Sequence, residues 1–366
     1  MAFEARHCPK EPIPSGFRGN VEGHVRNDSN ITVWAISDGR TGNRRQVQAL
    51  LRALRCEARE FCVELAGPWR WLAPHLRWPW AQALPREIRA ALHAPPELVV
   101  GCGRASASIT AMLRAHVPGC RAIQILDPRI APKHFDWVIA PAHDGLTAPN
   151  CIETLGAMTA VDETWLTDAA HGFPDLAAAP SPRLAVLIGG AHRDWTFDVA
   201  ALERLLEAAA QWQLATAGSV WLTSSRRTPV QFEARLTAFA DAPGRKVYLA
   251  PGQIPARSAL SVGTATAADL RNPYPGFLAL SDALLVTADS VNLASEACAT
   301  GRPVFVFESA RTSGKLARFH AALAARGHAR DGARLLDPEL PGSWPPPLRE
   351  AAAVAAMLSG RITLSS

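Results

Sequence analysis

Short, largely apolar stretches at positions 31–37, 60–65, 97–101, 121–126, 136–140 and 151–155 predict strands. The run at 97–101 is read as buried on both faces, the mark of a parallel sheet covered by helices. Helical spacing of apolar residues at 46–54 and 105–116 supplies two of those helices. The pattern fails at 168–182, DAAHGFPDLAAAPSP, which predicts a linker between domains. It then restarts, with strands at 183–188, 220–223, 246–249, 283–287 and 304–307 and helices at 197–212, 272–280, 290–300 and 312–325. A Pro-rich run at 341–347 precedes a last helix, 348–358. The expected fold is α/β, with two Rossmann-like doubly wound domains, at 31–170 and 183–345, facing across a cleft. Residues 346–366 are expected to cross back to the first domain. Residues 1–30, polar and rich in Pro and Gly, are expected to be disordered.

One stretch carries most of the candidate chemistry. Residues 281–307 read SDALLVTADSVNLASEACATGRPVFVF: strand, loop, helix, glycine stop, strand. Asp289 and Ser290 are good N-cap residues. Leu293, Ala294, Ala297 and Cys298 make one apolar face, and Gly301 with Pro303 ends the helix. Asn292 and Glu296 stand four apart, away from that face. Backbone N–H groups at such a helix start can face phosphate, and a carboxylate one turn in can hold ribose hydroxyls. The competing reading is an ordinary β-α-β unit with a solvated Glu.

Two further strand ends point the same way. Gly189-Gly190 offers backbone room and N–H groups at a helix start. Ser225, Arg226 and Arg227 offer hydroxyl and guanidinium donors suited to a pyrophosphate, with a solvated turn as the alternative.

In the first half, Asp38 lies in the turn SDGRTGN at the carboxyl end of the first strand, where doubly wound domains bind ligands. Its alternative role is that of a turn former. The spacing is not G-x-G-x-x-G, so no dinucleotide fingerprint is present. The lone G-x-G at 101–103 fits close strand–helix packing as well as a ligand. His143 and Asp144 close a later strand and are candidate bases, against the reading of a solvated loop pair. Residues 67–85 interleave Trp69, Trp71, Trp78 and Trp80 with Arg70, His75 and Arg77, and four prolines forbid a long helix. The segment is either a connection packed by its own aromatics or a surface for lipid headgroups.

Composition narrows the classes. The chain has 366 residues, 48 % of them hydrophobic and 19 % charged, which suits two full α/β cores. No apolar run approaches the length that spans a bilayer, and the N-terminus lacks a basic-then-apolar leader pattern. Seven cysteines are scattered without a C-x-x-C, which argues for a reducing compartment and against structural zinc. The formal charge of +5 is spread along the chain. It suits anionic lipid or phosphorylated substrates and makes no case for nucleic acid. The expected location is cytoplasmic, with peripheral attachment to an inner membrane.

The strings SDGRTGN, QILDPR, TSSRRTP, NPYPGFLALSD and VTADSVNLASEACATGRPV together resemble the mitochondrial-fission (elongate-mitochondria) protein family, over about residues 31–307. That family has many bacterial members and often carries the label of a nucleoside-diphosphate-sugar epimerase. GGAHRDW at 189–195 matches it more loosely. Residues 281–307 also resemble the ribose-binding segment of GT-B-fold glycosyltransferases. The resemblance implies a GT-B-like architecture, with an acceptor domain at 31–170 and a nucleotide-sugar donor domain at 183–345. It implies a nucleotide-sugar-dependent enzyme, first a metal-independent glycosyltransferase. An epimerase and a non-catalytic membrane-surface adaptor are the alternatives. The donor would lie on Gly189, Gly190, Ser225, Arg226, Arg227, Asp289, Ser290, Asn292 and Glu296. Asp38, His143 or Asp144 would act as general base on an acceptor hydroxyl. No cofactor or metal is expected, the nucleoside-diphosphate sugar being substrate. A nucleotide sugar and an anionic membrane surface are the expected partners, nucleic acid is not, and the protein partner is left open. The plant member acts in mitochondrial division by recruiting a dynamin-related protein, a role these residues do not themselves predict.

Overall fold

The computed structural model describes residues 3–6, 31–65, 84–225, 227–250, 272–337 and 344–359. In chain order these form β1 (Phe3–Arg6), β2 (Val33–Ser37), α1 (Thr41–Ala53), β3 (Arg59–Leu65), α2 (Arg86–Ala91), β4 (Leu98–Cys102), α3 (Arg104–His116), β5 (Arg121–Ile125), β6 (Trp137–Pro141) and β7 (Cys151–Thr154). Then come α4 (Glu163–His171), α5 (Pro174–Ala177), β8 (Arg183–Ile188), α6 (Val199–Thr216), β9 (Ser219–Ser224), α7 (Glu233–Ala240), β10 (Val247–Leu249), α8 (Tyr274–Leu280), β11 (Ala283–Thr287), α9 (Val291–Cys298), β12 (Val304–Phe307), α10 (Gly314–Ala325), β13 (Arg330–Asp331) and α11 (Glu350–Ser359). They divide into two compact units, Met1–Ala160 with Arg349–Ser366, and Val161–Leu348.

The first unit is built on a seven-stranded sheet in the order β1-β3-β2-β4-β5-β6-β7. All its pairs are parallel except β1 against β3. The β1 strand corrects the expectation that residues 1–30 are disordered throughout. A long stretch can be polar overall and still hold a few residues able to pair with an open sheet edge. Alternate residues of the central strands serve two cores. Trp34 and Ile36 join Val99, Ala122 and Val138 on one face, and Val33 and Ala35 join Leu98, Val100, Ile123 and Ile139 on the other. The second face is completed from the far end of the chain. Ala351, Val354 and Leu358 of α11 pack into it with Val47, Leu50 and Leu51 of α1. The Glu350 carboxylate accepts the backbone N–H groups of Leu155 and Gly156 at 2.6 and 3.2 Å.

The second unit has a six-stranded, wholly parallel sheet in the order β10-β9-β8-β11-β12-β13. Counted within the unit this is 3-2-1-4-5-6, the doubly wound order. The stretch 168–182, expected to be a linker, instead ends α4 and forms α5, and the unit begins at Val161. Its alanines and prolines misled because Pro174 sits in the first turn of α5, where its missing N–H costs nothing. Leu176 of that short helix is buried.

In each sheet the chain reverses direction beside its first parallel strand: between β2 and β4 in the first unit, and between β8 and β11 in the second. Such switch points open a crevice at the carboxyl ends of the strands.

Candidate functional site

At the second unit's switch point, β8 is followed by Gly189-Gly190 and β11 by Ala288-Asp289-Ser290. The Asp289 carboxylate is fully buried and reaches across the gap. Its Oδ2 accepts from the Gly190 amide at 3.0 Å and from Arg227 Nη2 at 2.5 Å. Its Oδ1 accepts from the Thr287 hydroxyl at 2.6 Å, and that hydroxyl oxygen takes the Gly189 amide at 2.8 Å. From the β9 side, the Thr228 hydroxyl donates to the Gly189 carbonyl at 2.5 Å and accepts from the Ser225 amide at 2.9 Å. Three neighbouring strand ends are thus tied into one network around a buried carboxylate, with every named donor matched to an acceptor.

This arrangement explains the two glycines differently from the sequence reading. A Cβ on Gly189 would stand 2.2 Å from both Asp289 carboxylate oxygens, and one on Gly190 would stand 2.1 Å from the Arg227 carbonyl oxygen. The glycines are there to let Asp289 and the Arg227 backbone approach. Their amides are already engaged, and α6 starts only after Asp198, which caps it by accepting from the Ala201 amide. The expectation of Gly189 and Gly190 amides at a helix start, waiting for phosphate, is therefore corrected. Arg227 keeps a half-exposed guanidinium, aimed by its bond to Asp289. Ser225 accepts the Arg227 amide on its hydroxyl. Arg226 lies outside the described residues, as do Trp69, Arg70, Trp71, Arg77, Trp78 and Trp80.

The loop leads directly into α9. Ser290 caps it, its hydroxyl accepting from the Leu293 amide at 3.3 Å. Ala294, Ala297 and Cys298 are buried, while Asn292 and Glu296 are half-buried. Glu296 does not stand alone: the phenol of Tyr274, the first residue of α8, donates to its Oε2. Beneath the loop, His320 of α10 is buried and its Nε2–H donates to the Ala288 carbonyl at 2.7 Å. His320 Nδ1 is buried without a hydrogen-bond partner. Burial lowers the His320 pKa from its ordinary value, opposed by the bond to Ala288 and the Asp289 charge. Tyr274, Thr287, Thr228 and His320 were not singled out from the sequence. Tyr274 and Thr228 lie inside the strings NPYPGFLALSD and TSSRRTP, which was the available signal.

In the first unit, Asp38 follows β2 and accepts from the Asn43 side chain at 2.9 Å and the Arg40 amide at 3.2 Å. Across the switch point, Gly103 has φ of +89°, and a Cβ there would lie 2.5 Å from Asn43 Nδ2 and 3.0 Å from Asp38 Oδ2. Gln124 on β5 donates to the Gly103 carbonyl at 3.2 Å, which accounts for the glutamine in QILDPR. His143, buried, and Asp144 lie in a short 3₁₀ turn after β6. The strand order puts β4 and β5 between β2 and β6. At a strand spacing of about 4.8 Å, Asp38 is separated from His143 and Asp144 by roughly 14 Å along the sheet edge. The strand order sets Asp38 apart from His143 and Asp144, which share one turn. Among the described residues, no group of three or more His, Cys, Asp or Glu is arranged to hold a metal ion, and no helix is long and apolar enough to cross a membrane.

Comparison with known proteins gives the following. A family model described as Mitochondrial fission ELM1 matches residues 41–362. The mitochondrial fission protein ELM1 of Arabidopsis thaliana is 32 % identical over 290 residues, 72 % of this chain and 63 % of the plant protein. The chain thus spans less than two thirds of that relative's length. An uncharacterized protein of Rickettsia prowazekii is 24 % identical over 318 residues, 76 % of this chain and 83 % of its own. Among solved structures, the UDP-GlcNAc 2-epimerase of Methanocaldococcus jannaschii superposes with a TM-score of 0.54 at 12 % identity, covering 90 % of this chain and 100 % of the epimerase. The fold is GT-B-like, two Rossmann-like units in one chain.

Proposed function

The chain belongs to the mitochondrial fission ELM1 family, and from that premise we propose that it binds a nucleoside diphosphate sugar on its second unit and transfers the sugar to an acceptor. The observation that carries the reading is α9: a Ser290-capped helix starting at the switch point, with Glu296 held by Tyr274. In this reading the start of α9 and the guanidinium of Arg227 face the diphosphate, and Glu296 takes ribose hydroxyls. Arg227, rather than a metal ion, offsets the charge that develops on the leaving diphosphate. Asp38, or alternatively His143 with Asp144, is the base that accepts the acceptor's proton. Their separation along the sheet edge leaves room for only one of these two positions in the chemistry. An epimerase reading uses the same nucleotide site, and the fold shared with the archaeal 2-epimerase is compatible with it.

A second reading is favoured by a specific observation. The Gly189 and Gly190 amides and one arm of Arg227 are engaged by Thr287 and Asp289. A network so closed suits a protein that keeps the fold, and the nucleotide, without turnover, as a membrane-surface adaptor would.

Titration calorimetry with uridine, guanosine, adenosine and cytidine diphosphates, followed by assay of diphosphate release from the matching nucleotide sugars, tests both. Saturable binding with turnover supports the transferase. Binding without turnover of any sugar favours the adaptor, and no binding of any nucleotide removes the donor-site assignment.

A further inference from the structure

The bond between Tyr274 and Glu296 joins two rigid elements. Tyr274 opens α8, and its own amide is fixed by the Asn272 side chain at 3.1 Å. Three residues on, Phe277 is fully buried, with its ring 5.4 Å from that of Trp221 and 5.7 Å from that of Tyr248. The phenol is therefore presented from an anchored turn. Glu296 sits in the second turn of α9, its own helix seated by buried Ala294, Ala297 and Cys298. A glutamate on a half-exposed helix face normally moves among rotamers and turns to water when no partner is at hand. One tied at Oε2 by a phenol is held at a fixed depth. A carboxylate accepts about four hydrogen bonds, so the phenol fixes its orientation without exhausting it.

A fixed acceptor discriminates better than a mobile one. When a ligand lacks the hydroxyl that the acceptor was placed to meet, a mobile carboxylate swings out to solvent and recovers its hydration. A fixed one is left desolvated and unmatched. We infer that the Tyr274–Glu296 pair selects ribonucleotides over 2′-deoxyribonucleotides, which favours a ribonucleoside diphosphate donor over a deoxythymidine-linked one. Tyr274 is the positioning residue, and Glu296 the group that meets the ribose. The inference rests on the reading that Glu296 faces the nucleotide sugar's ribose.

The test is calorimetry of uridine diphosphate and 2′-deoxyuridine diphosphate on wild type, Tyr274→Phe and Glu296→Gln. Wild type should prefer the ribonucleotide by about tenfold to a hundredfold, the worth of one hydrogen bond to a charged acceptor. In Tyr274→Phe that ratio should fall toward one, because the released carboxylate can hydrate itself. A role confined to packing α8 would weaken both nucleotides alike and leave the ratio intact. Glu296→Asp, which draws the carboxylate back by one methylene, is the second variant and should also collapse the ratio. An unchanged ratio in Tyr274→Phe with a collapsed one in Glu296→Gln would overturn the inference and leave the ribose assignment standing. No preference in wild type, or equal affinities in wild type and Glu296→Gln, would overturn both.

Discussion

The Gly190 amide and the Asp289 carboxylate meet at 3.0 Å across the gap between β8 and β11. Since Arg227 Nη2 meets the same oxygen at 2.5 Å, the carboxylate fastens three strand ends at once. Asp289→Asn keeps the size and removes the charge. It should cost about 1.5–3 kcal/mol, the scale of one hydrogen bond to a charged group. Arg227→Ala should cost a similar amount, and the double variant less than the sum, since both remove the same contact. Urea unfolding of the four proteins reads the coupling. Additive losses would mean that the pair does not interact in solution.

Gly103 turns with φ of +89° against Asn43 and Asp38. Alanine there is strained by the backbone and obstructed at its Cβ, so Gly103→Ala should destabilise the first unit by about 1–3 kcal/mol. Hydrogen exchange checks the location: protection should fall in β2, β4 and α3 and hold in β8 and β11. Uniform loss through both units would contradict a local origin.

His320 contributes a pH dependence of known sign. Burial lowers its folded pKa from the ordinary value of about 6.5. The unfolded chain therefore binds the proton more readily than the folded one, and the His320 contribution is present above about pH 6.5 and lost as pH falls toward the folded value. The slope is at most about 1.4 kcal/mol per pH unit for one proton. His328, lowered by burial and by Arg326, acts in the same direction. His320→Gln can keep the bond to the Ala288 carbonyl while losing the titration. It should flatten the decline in stability between about pH 6.5 and 5. An unaltered slope would assign the decline to other groups.

Asp38 and His143 follow strand ends about 14 Å apart, so they do not share one proton transfer. If turnover of a nucleotide sugar is found, either Asp38→Asn or His143→Asn should lower it by about 10²–10⁴-fold, and the other by far less. Equal losses of that size in both would argue against either being the base.

The sheets were legible because strands buried on both faces leave unbroken apolar runs: 283–287 and 183–188 match β11 and β8 to the residue. The break at 168–182 misled because proline and alanine are common in linkers and also in the first turns of short helices. The helix carrying Glu296 was readable from its cap and its apolar face, both local features. The partners of the site were not. Tyr274 lies 22 residues from Glu296, and Asp289 lies 99 from Gly190. No periodicity encodes which side chain will meet a distant carboxylate. Gly189 and Gly190 looked like phosphate-binding glycines because the same lack of a side chain serves close packing against a buried residue.

The helix that closes the first unit also sets an order of events during synthesis. On the ribosome, residues 1–160 emerge first, but the part of this core that α11 fills, and the Leu155 and Gly156 amides that Glu350 accepts, wait until α11 has been made. Val161–Leu348 is completed before that happens. The later unit can therefore reach its final state first, while the earlier one holds an open flank through the translation of nearly two hundred intervening residues, roughly 10–40 s at ordinary elongation rates. A nascent chain stalled before Glu350 would present that flank to chaperones and to other copies of itself.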